Sequence, residues 1–314
     1  MTYKVVRRAL CGVALKKGLR QMKKKSAANI ILVITLLIGI GLLLYPSISE
    51  YINSKNQSKV IESYNDAIEN ISEEKMKDVI AEAHRYNEKL AATKDAFYKP
   101  YLVDGYYSAL DVDGTGVMGY VSIDKIKVEL PIYHTVDENV LQIAAGHLPG
   151  SSLPVGGEST HAVISGHRGL PSAKLFSDLD KLEIGDTFRI TVLNEIYTYQ
   201  VDKITTVRPN EVEELQIKNG KDYCTLFTCT PYGINTHRLL VRGERIANIE
   251  EKKVYVANDA FYISPFIVTP IVAAPMLLVL LIVMLVNGAN AKKRRERNQI
   301  KRILANDENN EFHE

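Results

Sequence analysis

The sequence predicts a mainly β domain carried between two membrane-spanning helices. Two uncharged apolar runs, residues 27–45 and 261–286, stand towards the two ends of the 314-residue chain. A helix needs roughly 20 apolar residues to cross a bilayer, and each run meets that length. Between them, short runs of β-branched and aromatic residues alternate with Gly, Pro, Asn and Asp. Seven or eight short strands with few helices predict a closed barrel or a sandwich.

Charge is balanced overall and uneven locally. The formal net charge is +2, which gives no support to a nucleic-acid partner. Lys and Arg concentrate in the first 25 residues and in 292–302, on the outer flank of each apolar run. Because Lys/Arg-rich flanks stay in the cytoplasm, we expect a two-pass plasma-membrane protein with both termini inside and residues 46–260 outside. A cleaved signal peptide is the alternative for the first run, but the residues before Pro46 offer no small-x-small cleavage site.

The domain organisation follows from these patterns. We predict a cytoplasmic basic tail (1–26), a transmembrane helix (27–45), an extracellular helical segment (46–92), a candidate lid loop (93–116), a β domain (117–248), a second transmembrane helix (261–286) and a cytoplasmic tail (287–314). In the helical segment, Ser72 is the expected N-cap of a second helix. The segment Asp111–Gly114 has two carboxylates but lacks the downstream glutamate of a calcium loop, so we interpret it as a turn.

The β domain contains the predicted strands and one short helix. Alternating or β-branched runs predict strands at 120–123, 126–133, 160–165, 188–192, 196–207, 223–228 and 238–245, with a short helix at 140–145.

The cysteines indicate chemistry rather than a disulfide. By the predicted topology Cys11 is cytoplasmic, whereas Cys224 and Cys229 lie in the exported domain. Five residues along one strand separate their Cα atoms by about 17 Å, and a disulfide needs less than about 7 Å. Cys224 lies within the strand and is expected to pack as a small apolar residue.

Cys229 ends its strand beside Pro231-Tyr232-Gly233, where a turn can expose it. A thiol nucleophile needs a histidine to move protons and a donor for the oxyanion. His167 lies between glycines and His147 is the next candidate, and spacing alone does not choose between them. Arg238, at the start of the next strand, could be the oxyanion donor, although a surface ion pair is the commoner role for an arginine.

These residues resemble a known family. Thr225-Leu226-Phe227-Thr228-Cys229 is similar to the TLxTC signature of sortases. Further segments resemble class C, the pilin-polymerising sortases of Gram-positive bacteria: Gly146-His147-Leu148, 165–171, 175–179 and the run from Cys229 to Arg238. The resemblance covers roughly residues 90 to 246.

The resemblance implies an eight-stranded sortase-type barrel with Cys229 as nucleophile, His167 as acid/base and Arg238 as oxyanion ligand. Leu226 and Thr228, inside the signature, are predicted to bind substrate. The implied substrate is an LPxTG-type sorting signal, cleaved between Thr and Gly through a thioacyl enzyme. The implied acceptor is a pilin lysine, and no cofactor or metal is expected.

Class C sortases also carry a lid with an Asp-Pro-aromatic motif. The nearest match here is Asp95-Ala96-Phe97, with alanine in place of proline. If this is the lid, Phe97 would cover Cys229 and Asp95 would pair with Arg238. The alternative is that the stretch only ends the helical segment.

Three other functions are compatible with parts of the pattern. A housekeeping-type sortase would attach surface proteins to cell-wall peptidoglycan. A papain-like hydrolase is disfavoured, because its cysteine begins a helix. A membrane hairpin that scaffolds surface proteins would need no reactive cysteine at all.

Overall fold

The computed structural model describes residues 2–248, and beyond them 274–275, 277–278, 281–282, 288–289 and 295–300; for residues 2–32 it describes the backbone alone. The chain divides into two compact units. One comprises Met1–Tyr45 with Asn258–Glu314, and the other is Pro46–Ala257. The second unit contains every strand described below.

The first helix, α1 (Thr2–Glu69), contains the first apolar run. Within the described residues its section Val33–Glu69 is the one helix long and apolar enough to cross a membrane, with a mean hydropathy of 1.8 in its most apolar window and none of that window buried. The second predicted span, 261–286, lies mostly outside the described residues. Those of its residues that are described, 274–275, 277–278 and 281–282, are helical.

The second helix, α2 (Glu73–Ala92), begins where its capping residue predicts. Ser72 accepts a hydrogen bond from the backbone N–H of Lys75 at 3.3 Å, and two glutamates occupy the first turn, where the helix dipole favours negative charge. The end of α1 and α2 both pack on the β domain. Tyr64 shows this directly, since its hydroxyl donates to Met118 O at 3.1 Å and accepts from Leu193 N at 2.9 Å.

Eight strands close into a barrel in the order β1-β2-β3-β4-β7-β8-β6-β5. Their bounds are β1 (Val117–Ile123), β2 (Val128–His134), β3 (Ala145–His147), β4 (Thr160–Ser165), β5 (Thr187–Val192), β6 (Glu195–Val207), β7 (Asp222–Thr230) and β8 (His237–Arg245), with the short helix α3 (Glu138–Leu141) before β3. The eight-stranded barrel predicted from the resemblance is therefore confirmed, and the sandwich is wrong.

Two pairings are parallel, β2 with β3 and β4 with β7, and the remaining pairs are antiparallel. Side chains alternate between the interior and the outer face, as a pleated strand requires. Ile164, Leu226 and Val241 are fully buried in the main core. Their neighbours Val163, Phe227 and Leu240 belong to a second apolar cluster on the outer face of β4, β7 and β8.

Two local predictions are wrong. The helix expected at 140–145 ends at Leu141, and Ala145–His147 is a strand. This strand packs closely, because a Cβ on Gly146 would lie 2.2 Å from Thr135 O. The strand expected from Ile126 begins at Val128, since a 3₁₀ turn occupies Asp124–Ile126 and Lys127 adopts a left-handed backbone with φ of 52°.

Candidate active site

The predicted nucleophile and the predicted oxyanion donor are partners across two strands. In the β7–β8 ladder, Cys229 pairs directly with Arg238. Directly opposed residues of an antiparallel pair have Cα atoms about 5 Å apart and side chains on the same face. Phe227, two residues before Cys229, and Leu240, two residues after Arg238, both belong to the outer cluster. The thiol and the guanidinium therefore share the outer face of the barrel.

His167 reaches the same place from β4. Ser165 pairs with Phe227, and Gly166 continues the ladder by donating to Phe227 O at 3.1 Å. On the other side of the chain, Thr228 Oγ1 donates to Gly166 O at 2.7 Å. These bonds place His167 level with Cys229, two residues beyond the last regular pair. A glycine is required at 166, because a Cβ there would lie 2.6 Å from the ring of Phe176.

The side chains of Cys229, His167 and Arg238 are partly accessible to solvent, unlike those of their buried neighbours. Cys229 and Arg238 are half-buried, and the side chain of His167 is 24% exposed. Cys224, by contrast, is fully buried. Burial, with a smaller contribution from Asp222, raises the pKa of the Cys224 thiol well above its ordinary value. Of the two cysteines on β7, only Cys229 is placed to act as a nucleophile.

The structure also separates the competing histidines. His147 is fully buried, with Nε2 2.8 Å from Ser152 O and Nδ1 3.0 Å from the Tyr106 hydroxyl. His161 is fully buried as well, between Gln216 O and Thr225 Oγ1. Burial lowers the pKa of each ring to about 4. Both rings are enclosed by hydrogen bonds, so of the two histidines that spacing could not separate, His167 is the accessible one.

Glu138 is a neighbour of His167 that the sequence did not indicate. It begins α3, and its Oε2 lies 3.5 Å from His167 Nε2, close enough for an ion pair but not aligned as a hydrogen bond. A hydrogen bond from Gln142 and the charge of His167 lower the pKa of the Glu138 carboxyl. No motif links residues 29 positions apart on different elements, so only the fold reveals this contact.

Arg238 is oriented by the backbone of its own turn. Its Nη1 donates to Asn235 O at 3.0 Å and to His237 O at 3.1 Å. Within the described residues these are its hydrogen bonds, so the rest of the guanidinium fork remains available to a ligand. A guanidinium carries five N–H donors, and it can hold the backbone and an oxyanion at once.

Comparison with known proteins agrees with this geometry. Residues 121–246 match the family model described as Sortase domain. The structure resembles that of sortase C1 from Streptococcus agalactiae, with 51% identity and a TM-score of 0.56, over 61% of this chain and 100% of that one. It resembles sortase C from Streptococcus pneumoniae with 44% identity and a TM-score of 0.56, over 60% and 97% of the two chains. The chain belongs to the class C sortases.

More distant relatives carry other names. Sortase A of Streptococcus agalactiae serotype III (strain NEM316) is 32% identical over 131 residues, which are 41% of this chain and 52% of that protein. Sortase D of Bacillus subtilis (strain 168) is 30% identical over 131 residues, which are 41% of this chain and 63% of that protein. The chain thus spans about half to two thirds of the length of these two curated relatives.

The two predicted substrate-binding residues of this sortase lie inside the barrel. Leu226 is fully buried, and Thr228 is 1% exposed with its hydroxyl bonded to Gly166 O. Alternation along β7 explains this, since positions 226 and 228 face inward when 227 and 229 face outward. In this conformation neither side chain is presented to a substrate, and the outer face beside Cys229 is formed by Phe227 and Leu240.

The candidate lid packs on that outer face. Phe97 contacts the second apolar cluster, which includes Phe227 and Leu240, and Ala96 is buried. Gly150 allows this approach, because a Cβ there would lie 2.5 Å from Phe97 O. Asp95 is exposed, and the described residues show no ion pair between it and Arg238.

Proposed function

We propose that this sortase is a membrane-anchored cysteine transpeptidase that cleaves an LPxTG-type sorting signal between Thr and Gly and transfers it to a pilin lysine. The observation that carries the proposal is the register at the barrel rim. Cys229 faces Arg238 across β7 and β8, and His167 leaves β4 at the adjacent position. A nucleophile, an acid/base and a cationic donor on one accessible face are the groups that acyl transfer needs.

The chemistry runs in two balanced steps. The proton that Cys229 and His167 share lies on the imidazole as the Cys229 sulfur adds to the threonine carbonyl carbon, and Arg238 stabilises the oxyanion. His167 then gives that proton to the departing glycine amine as the Thr–Gly C–N bond breaks. This releases the C-terminal part and leaves a thioester on Cys229. A lysine amine then attacks the thioester and loses a proton to His167, which gives an isopeptide bond and restores the enzyme.

Pilin as substrate is supported by the relatives. The crystal structure of the Streptococcus pneumoniae sortase C gives insight into the pilin substrate specificity of that enzyme. A Clostridium perfringens sortase C, 41% identical over 61% of this chain and 100% of that one with a TM-score of 0.54, was solved with the C-terminal cell wall sorting motif. We propose that the present sortase uses the same class of partner.

The test is mass spectrometry of the full chain in detergent mixed with an LPxTG-type peptide. We expect a thioacyl adduct on Cys229 with loss of the fragment beginning at glycine, and no adduct in Cys229→Ala. Addition of a pilin subunit with its acceptor lysine should give a ladder of covalent oligomers. Adduct without a ladder, but with transfer to a peptidoglycan-type amine, would identify a housekeeping sortase. Absence of any adduct would leave the scaffold hypothesis.

Residues 93–116 are proposed as a lid over this site. The packing of Phe97 on the face that ends at Cys229 supports the proposal. If the segment restricts access, Phe97→Ala should increase the rate at which an LPxTG peptide acylates Cys229, while the melting temperature falls by a few degrees through lost packing. Tyr101→Ala is the control, because Tyr101 is an aromatic residue of the same segment that is 75% exposed. An unchanged acylation rate in Phe97→Ala would contradict the lid.

A further inference from the structure

Arg168, the residue after His167, has contacts that the mechanism above does not use. Its side chain is only 9% exposed. One guanidinium nitrogen, Nη1, donates to Thr230 Oγ1 at 3.2 Å, and Nη2 lies 2.5 Å from Asp180 Oδ2. The guanidinium carbon also lies 5.9 Å from the centre of the Tyr232 ring. A single buried side chain therefore contacts three separate segments.

Two of those segments belong to the part of the chain that carries Cys229 and leads to Arg238, and the third anchors the guanidinium. Thr230 directly follows Cys229 at the end of β7. Tyr232 lies in the turn that leads from β7 to Arg238 on β8. Asp180 lies in the 3₁₀ turn Leu179–Lys181, and its side chain is 47% exposed, although the turn itself packs through the fully buried Leu179.

The contact also falls in register with the proposed catalytic pair. β4 and β7 run parallel, and their last regular pair is Ser165 with Phe227. One-for-one continuation puts His167 opposite Cys229 and Arg168 opposite Thr230. The Arg168–Thr230 hydrogen bond thus links the ends of β4 and β7 one residue beyond the proposed reacting groups, where the backbone hydrogen bonds between the strands have ended.

Stability alone is a poor reason for this arrangement. Removing a guanidinium from water is costly, and a single partly exposed carboxylate offsets only part of that cost. Arg168 Nε is buried without a hydrogen-bond partner among the described residues. The planar guanidinium instead fixes geometry. Two of its nitrogens hold two acceptors, Thr230 Oγ1 and Asp180 Oδ2, at a set angle, and the single ammonium of a lysine cannot do this.

We propose that Arg168 is a positioning residue that holds the exits of β4 and β7 together so that the His167 imidazole and the Cys229 thiol stay paired. The inference rests on the proposed function, because it assumes that this pair reacts. Arg168 acts through Thr230 and Asp180 and does not itself touch the sorting signal.

The test compares Arg168→Lys, Thr230→Val and the double variant, each as the full chain in detergent. A displacement of about 1 Å can cost on the order of 100-fold in rate, so we expect Arg168→Lys to lower kcat for acylation roughly 10- to 100-fold with KM within about twofold. Thr230→Val should lower kcat by about threefold to tenfold, and the double variant should be no slower than Arg168→Lys, because both remove one contact. Melting temperatures should stay within a few degrees of the parent.

Arg189→Lys is the matched control, since Arg189 on β5 lies 2.9 Å from Asp124, and β5 is three strands round the barrel from β7. Parental kcat in Arg168→Lys, multiplicative losses in the double variant, or an equal loss in Arg189→Lys would each overturn the inference. Alkylation of Cys229 by iodoacetamide gives a substrate-free readout, and we expect it to slow in Arg168→Lys. If the parent forms no thioacyl adduct, the proposed function fails, and the alkylation rates still decide whether Arg168 positions the thiol.

Discussion

At the scale of single residues, β7 gives two identical thiols opposite environments. Cys224 faces the interior beside Leu226 and is fully buried, whereas Cys229 is half-buried at the rim. Thiolate is the reactive form, and burial of Cys224 raises its pKa well above the ordinary value. We expect peptide-resolved alkylation of the folded chain to modify Cys229 at least about 100-fold faster than Cys224.

Denaturant provides the control for that comparison. In urea the two cysteines should react at similar rates, because the fold no longer separates them. Rapid modification of Cys224 in the folded chain would show that the barrel opens at β7 on the timescale of the reaction, contrary to its burial.

His147 makes stability depend on pH. Burial holds its pKa at about 4 in the folded chain, against an ordinary value of 6.5. Between those values the unfolded chain binds a proton that the folded chain does not, so the free energy of unfolding is highest above about pH 6.5 and falls as the pH drops towards 4. The loss amounts to roughly 3 kcal/mol at most for this histidine.

Thermal unfolding of the full chain in detergent at pH 7.5 and 4.5 measures this effect. His147→Gln removes the titration, so its melting temperature should fall less between the two pH values than that of the parent, whatever its absolute stability. Ser58→Ala, at an exposed position of α1 and without change in any titratable group, is a control that should leave the parental pH dependence in place. Equal pH dependence in the parent and His147→Gln would refute the assignment.

At the scale of elements, the strands of six or more residues could be predicted from sequence, and the three-residue β3 could not. β6 and β8 each show a run of alternating or apolar residues, and their predicted bounds differ from the observed ones by one residue. β3 has three residues, too few for a period to be visible, and its parallel pairing with β2 leaves no mark in the local sequence.

The candidate site could likewise be predicted from sequence only in part. Cys229 and Arg238 flank one turn, so their proximity could be inferred from the local sequence. The resemblance to sortases was needed to select His167, because the β4–β7 pairing joins residues 62 positions apart. Leu226 and Thr228 were assigned to substrate from their place in the signature, and only the register shows that they face inward.

Gly146 tests how tightly β3 is held. A Cβ at this position would overlap Thr135 O at 2.2 Å, and that atom belongs to the backbone. We expect Gly146→Ala to lower the free energy of unfolding by roughly 3 kcal/mol, since the neighbouring chain must move. Gly185→Ala is the comparison, with φ of 97° and no atom within 4 Å of the added Cβ, and should cost roughly 1 kcal/mol from backbone strain alone. Equal costs would contradict the close packing of β3.

The part of α1 after the apolar run is joined to the loop that follows His167 and to Ile143, just after α3. Asn53 Nδ2 donates to Ser172 O at 2.6 Å, and Gln57 Nε2 donates to Ile143 O at 2.7 Å. Glu50 accepts from the backbone N–H of Lys174. These side chains are three and four residues apart, so they lie on one face of the helix.

Removing these bonds should loosen the loop more than the barrel. For Glu50→Ala with Asn53→Ala, which removes the bonds to Lys174 and Ser172, we expect faster amide hydrogen exchange in residues 167–175, while β7 and β8 keep their protection. Ser58→Ala is the control, because Ser58 Oγ bonds only within α1, to Ser54 O. Exchange that rises uniformly across the barrel would show a global loss of stability instead.

At the scale of the whole molecule, barrel closure is what creates the site. The parallel pairing of β4 with β7 brings two distant chain segments to one rim, and the antiparallel β8 adds Arg238 from the other side. The closed order leaves no strand of the barrel unpaired, so each strand that carries a candidate residue has a partner on both sides. We therefore propose that the catalytic side chains lie at the ends of strands, next to loops, and are held in place by the paired strands of the barrel.

The remaining proposal concerns the membrane, where one-pass and two-pass topologies make different predictions. α1 supplies one candidate span, and the second is proposed from the apolar run 261–286 with its basic flank. Two spans put residue 309 in the cytoplasm, whereas a single span puts it outside with the barrel. In a Cys11→Ser, Cys229→Ala background, Asn309→Cys should resist a membrane-impermeant maleimide in protoplasts and react after permeabilisation, while Lys94→Cys should react in both. Labelling of position 309 in intact protoplasts would establish a single span.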